Sequence, residues 1–196
     1  MFKSHPKGLL AAALSNMGER FGYYIMNAVL ALFLCSKFGL AEGQAGLIYS
    51  IFYAGIYILS LVGGLIADKT QNYKGTIMTG LAIMASGYVI LSIPVLATPQ
   101  NSSFLLTVTC LALFLIAFGN GLFKGNLQAI VGQMYDNFEA EEAKKGEEAL
   151  AIAKDKRDSG FQIFYVFINV GGVVAPFVAP LLREWWLKTN GLVYNS

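Results

Sequence analysis

Residues 16–27 read NMGERFGYYIMN and set a glutamate beside an arginine inside an apolar run. On a helix, Asn16, Glu19, Arg20, Tyr23, Tyr24 and Asn27 recur at spacings of three and four and share one face. Leu14, Met17, Phe21, Ile25, Ala28 and Leu32 hold the opposite face. Charges within a bilayer are costly, so they turn towards a bundle interior or a wet cavity and mark the path of an ion or polar solute. A mutually neutralising structural pair is the plainer account of Glu19 and Arg20 alone. The tyrosines and asparagines that prolong the stripe favour the pathway.

Other runs carry their own marked faces. Asn120, Lys124 and Gln128 follow one another at intervals of four, beside Gly119, Gly121 and Gly125. The glycines admit a neighbouring backbone, and Lys124 calls for a carboxylate. Glu19 is the one acid within the apolar runs, which makes it the expected partner; snorkelling of Lys124 to the membrane surface is the alternative. Tyr49, Tyr53 and Tyr57 form a ladder, and the phenols seek hydrogen-bond partners, with Tyr57 either lining a cavity or packing. Gln162, Tyr165 and Asn169 share a face ahead of Pro176 and Pro180, which remove backbone donors and are expected to bend their helix.

The elements that must position these residues are membrane spans. Hydrophobic residues are 56% of the chain and charged ones 13%, against about a quarter charged in soluble domains. This composition implies an all-α membrane protein. A span needs about 20 mostly apolar residues, and five stretches qualify: 8–36, 45–67, 75–96, 104–134 and 160–182. The charged segment 136–158 is expected as a solvated cytoplasmic loop, either a surface amphipathic helix or disordered. The start resembles a signal peptide, but its apolar character continues through Leu34, so it reads as a retained helix. Lys3, Lys7, Lys69, Lys74, Lys144, Lys145, Lys154, Lys156 and Arg157 fall on one side of such a topology, and only Lys37, Arg183 and Lys188 on the other. The positive-inside rule then puts the N-terminus in the cytoplasm of a multi-pass protein of the cell membrane.

Several function classes are excluded or unsupported. His5 is the only histidine, Cys35 and Cys110 match no metal spacing, and HExxH, GxSxG and paired-Asp motifs are lacking, so neither an enzyme nor a metal or other cofactor is expected. No basic cluster with interleaved aromatics points to nucleic acid.

Four stretches together resemble the proton-coupled oligopeptide transporter family of the major facilitator superfamily. Glu19-Arg20-Phe21-Gly22-Tyr23-Tyr24 is similar to its ExxERFxYY signature, and Gly64-Leu65-Ile66-Ala67-Asp68-Lys69 to the loop motif between the second and third helices. Residues 118–124 and 164–171 are similar to its fourth- and fifth-helix motifs, the latter FYxxINxG. The resemblance implies part of an N-terminal six-helix bundle, with the C-terminal half of the transporter missing, and a substrate site between two such bundles. It implies a symporter importing di- and tripeptides with protons, in which Glu19, Arg20 and Lys124 take part in proton coupling. Tyr23, Tyr24, Asn27, Tyr57, Lys124 and Asn169 are the substrate-binding positions it implies. Asn16 stands where the family signature usually opens with a second glutamate, and Asn27 where a basic residue is common. The competing readings are another small anion, such as nitrate or a carboxylate, on the same scaffold, and a non-transporting membrane protein.

Overall fold

Lipid offers no hydrogen-bond partner to a bare backbone, so apolar runs of this length satisfy their peptide groups internally as helices. The computed structural model describes residues 5–189, the side chains of Trp186 and Leu187 excepted, and Lys3 lies outside the described residues. Five helices follow in order: α1 (Leu9–Phe38), α2 (Glu42–Thr70), α3 (Tyr73–Ser92), α4 (Ser102–Ala143) and α5 (Glu147–Thr189). All five are long and apolar enough to cross a membrane. The chain is an all-α, multi-pass membrane protein.

The connections follow from local chemistry. Gly39, at φ +64, ends α1, and the Gln44 side chain accepts from the Ala41 amide at the start of α2. Gln71 closes α2 in the left-handed region, and the Asn72 side chain caps α3 through the Gly75 amide at 2.9 Å. In the turn before α4, Asn101 Oδ1 accepts from the Thr98 amide at 2.7 Å.

Two boundaries correct the sequence reading. The third span was expected to reach Leu96, but α3 stops at Ser92. Pro94 disfavours helical geometry at the residue before it, and Ile93 is extended at ψ 119. Segment 136–158 is not a loop: α4 runs on to Ala143 and α5 begins at Glu147. Its Glu, Lys and Ala residues are strong helix formers, and only a tight turn through Gly146, at φ +125, separates the helices. Arg157 Nη1 joins the two extensions by ion pairs to Asp136 (2.7 Å) and Glu139 (3.2 Å).

The chain divides into two compact units. One holds residues up to Leu30 with those from Met134 onward; the other is 31–133. In the first, α5 lies against α1 through glycine: a Cβ at Gly171 would stand 2.6 Å from the Met17 carbonyl oxygen. In the second, α4 is the central helix. Gly121 meets the Leu59 backbone of α2, and Gly119 meets Met84 of α3. Small residues permit this backbone approach, and van der Waals contact then holds the helices where lipid gives no hydrophobic drive.

Candidate functional site

Four of the six residues of the α1 stripe are turned inward, as their polarity requires. Asn16, Glu19, Arg20 and Tyr23 are buried, whereas Leu14 and Leu32 on the opposite face are exposed. Successive helical residues diverge by about 100°, so Glu19 and Arg20 meet only because both long side chains bend together. Arg20 Nε lies 2.5 Å from Glu19 Oε2 and Nη2 lies 2.8 Å from Oε1, a two-point pair of the charge-assisted kind. The Glu19 side chain is 1% exposed. The Arg20 guanidinium also sits over the Tyr23 ring at 4.7 Å from its centroid. Tyr23 in turn meets Tyr24 edge to face.

Tyr24 is partly exposed, and its ring backs against Gly172 of α5, where a Cβ would approach to 2.9 Å. Asn169 stands exposed three residues before that glycine. Asn27 Oδ1 is buried without a hydrogen-bond partner among the described residues. An acceptor in that state carries a penalty of about 1–3 kcal/mol until a donor reaches it.

The second unit carries the other charged candidate. Lys124 Nζ lies over the Tyr57 ring, 4.6 Å from its centroid, and the Tyr57 and Tyr53 hydroxyls share a hydrogen bond of 3.1 Å. Tyr57 is 49% exposed and presents one ring face to Lys124. Within the first unit the structure joins Glu19, Arg20, Tyr23 and Tyr24, and within the second it joins Tyr57 with Lys124. Gln128, expected to continue the Lys124 face, is exposed.

Thr76, Thr109 and Asn126 are buried polar residues outside the faces that the sequence marks. Asn126 is 2% exposed and donates to the carbonyls of Gly63 (3.1 Å) and Leu122 (2.8 Å). Its only signal was the glycine before it.

Comparison with known proteins gives the family context. Residues 74–194 match the sequence model of the POT family. The chain is 34% identical over 184 residues to a di-/tripeptide transporter of Lactococcus lactis subsp. cremoris, covering 90% of this chain and 32% of that protein. It is 34% identical over 195 residues to the peptide transporter YePEPT of Yersinia enterocolitica subsp. palearctica, covering 97% and 33%. Among solved structures, tetrameric PepTSo2 matches with a TM-score of 0.75 at 28% identity, over 94% of this chain and 34% of that one. A bacterial homologue of the human drug peptide transporters PepT1 and PepT2 matches with a TM-score of 0.73 at 28% identity, over 93% and 34%. The chain spans about a third of the length of the curated relatives it matches.

Proposed function

The chain belongs to the proton-coupled oligopeptide transporter (POT) family, and on that premise we propose that it forms the N-terminal part of a symporter importing di- and tripeptides with protons. The observation that carries this reading is the buried two-point pair of Glu19 and Arg20 on a helix whose other face is apolar. Protonating Glu19 removes the charge that holds the guanidinium. The guanidinium can then turn towards another carboxylate, and a peptide C-terminus supplies one. Peptide binding and proton binding at Glu19 are thereby linked, and the linkage is reciprocal.

Lys124 adds a second cation to the set, and Glu19, Arg20 and Lys124 serve coupling. Tyr23, Tyr24, Tyr57 and Asn169 line the peptide site, and the buried acceptor of Asn27 takes a hydrogen bond from a donor group of the peptide. No covalent step is involved; the protein is a transporter rather than an enzyme. The N-terminus faces the cytoplasm of the cell membrane, on the charge asymmetry of the loops. The remainder of the transporter supplies the opposing bundle.

The excess of cations over acid in this set (Arg20 and Lys124 against Glu19) favours one second reading, a small inorganic or carboxylate anion as substrate. Uptake into proteoliposomes by the product of the complete reading frame decides between them. An inward proton gradient should drive accumulation of labelled dipeptide, and Glu19→Gln should lower it at least tenfold. Gradient-driven nitrate or acetate uptake without dipeptide uptake establishes the second reading. No gradient-driven uptake of any of these overturns both.

A further inference from the structure

Within the second unit, the C-terminal ends of α1 and α3 line an open cavity of about 530 Å³. Its lining divides by chemistry. Lys37, Ser36 and Ser92 supply polar groups, while Phe33, Pro94 and Leu96 supply apolar surface.

The polar part suits an anion. The Lys37 ammonium rests near the Phe33 and Phe38 rings, at 5.1 and 5.8 Å from their centroids. Among the described residues it pairs with no carboxylate. Among the described residues the Ser36 and Ser92 hydroxyls bond to carbonyls of their own helices, and either can turn to a neighbouring oxygen.

The apolar part suits a hydrocarbon chain. After α3 ends, Ile93, Val95 and Leu96 leave the helix with their side chains in the open, Leu96 at 85% exposure. Apolar surface of this kind is unfavourable in water, by about 25 cal/mol per Å², and calls for a hydrocarbon cover. Both helices end here after crossing an apolar thickness, so this is the level at which headgroup gives way to acyl chain.

We propose that this cavity binds one phospholipid with an anionic headgroup, its phosphate on Lys37, its headgroup hydroxyls against Ser36 and Ser92, and an acyl chain along Leu96. A soluble phosphate would meet the cation but leave Leu96 uncovered. A zwitterionic lipid would cover Leu96 but bring its own cation towards Lys37.

The test is native mass spectrometry of the chain in a neutral detergent, with equal amounts of phosphatidylglycerol and phosphatidylcholine added. One equivalent of phosphatidylglycerol should be retained in preference, its retention falling about tenfold in Lys37→Gln and persisting in Lys37→Arg. Leu96→Ser should lower retention of the lipid severalfold. Millimolar glycerol phosphate, which has the headgroup without the chains, should not displace it. Equal retention of the two lipids, or undiminished phosphatidylglycerol retention in Lys37→Gln, overturns the proposal. So does displacement by glycerol phosphate, which would mark a soluble-anion site. Should Lys37→Gln lose helicity by circular dichroism, Leu96→Ser decides by the same readout, and unchanged retention there refutes the lipid.

Discussion

Asn126 Nδ2 donates to the Gly63 carbonyl oxygen at 3.1 Å and so ties α4 to α2 at the point where glycine has already let the two backbones touch. The same amide holds the Leu122 carbonyl of its own helix, so its orientation is fixed from both sides. Interhelical hydrogen bonds in membranes are worth about 0.6 kcal/mol on average and at most about 1.7. Asn126→Ala also leaves a small void, and a loss of about 1–2 kcal/mol is expected. Reversible unfolding in mixed detergent micelles measures it. A stability equal to that of the unmodified chain would show that glycine contact alone holds α2 to α4.

Two glycines on one helix should respond oppositely to alanine. A Cβ at Gly121 would stand 2.6 Å from the Leu59 backbone, which has no flexible end to yield, whereas Gly125 faces open space. Gly121→Ala should therefore destabilise by about 1–3 kcal/mol, as overpacking does. Gly125→Ala should be neutral or stabilise by up to about 1 kcal/mol, through helix propensity. The same unfolding assay reads both, and equal effects would contradict the α2–α4 packing.

Sequence showed the face of α1 clearly because a charged pair inside an apolar run leaves one inward arrangement. Glu19, Arg20 and Tyr23 are buried where the spacing put them. It read α4 poorly for a physical reason: as the central helix of its unit, α4 is covered on several sides, so no single stripe describes it. Asn120 and Asn126 are both buried although they lie on different faces, while Gln128 is exposed. Hydropathy also ended α4 too early, since it registers where apolar residues stop rather than where the helix stops. The ion pairs of Arg157 with Asp136 and Glu139 join helical extensions that hydropathy reads as loop. The roles of individual site residues rest on the family signature, since polarity marks a face and not its ligand.

The Glu19–Arg20 pair predicts strong non-additivity. Breaking a buried pair by removing one partner costs about 3–5 kcal/mol. Glu19→Gln and Arg20→Gln should each be strongly destabilising. The double variant should cost clearly less than their sum, with a coupling of about 1–3 kcal/mol. Thermal unfolding of the four proteins in detergent closes the cycle. Additive losses would mean that the two side chains act through other partners.

The proposed orientation gives a labelling prediction. Glu42 and Lys144 are exposed near the start of α2 and in the α4–α5 turn. With Cys35 and Cys110 replaced, Glu42→Cys should react with an impermeant maleimide in intact cells, and Lys144→Cys only after lysis. The reverse pattern would invert the topology.

A last prediction concerns the N-terminal approach to α1. His5 Nδ1 lies 2.8 Å from the Tyr135 hydroxyl, and Tyr135 is fully buried against Gly160 of α5. Burial lowers the His5 pKa below its ordinary 6.5, and the positive charge of Lys156 lowers it further. The folded chain thus favours neutral imidazole, while the unfolded chain takes up a proton at about pH 6.5. The sign follows: the contribution of His5 to stability is complete above about pH 6.5 and is lost as pH falls from there through the lower folded value. His5 is the only histidine in the sequence, so with a histidine-free tag one imidazole resonance reports it. Its titration midpoint should fall below 6.5 and move back towards that value in Lys156→Gln, which removes a repelling cation. Lowering the pH from 7 to 5 should reduce the thermal midpoint more in the unmodified chain than in His5→Gln. A midpoint at or above 6.5, unmoved by Lys156→Gln, would show that His5 does not hold this contact with Tyr135 in solution.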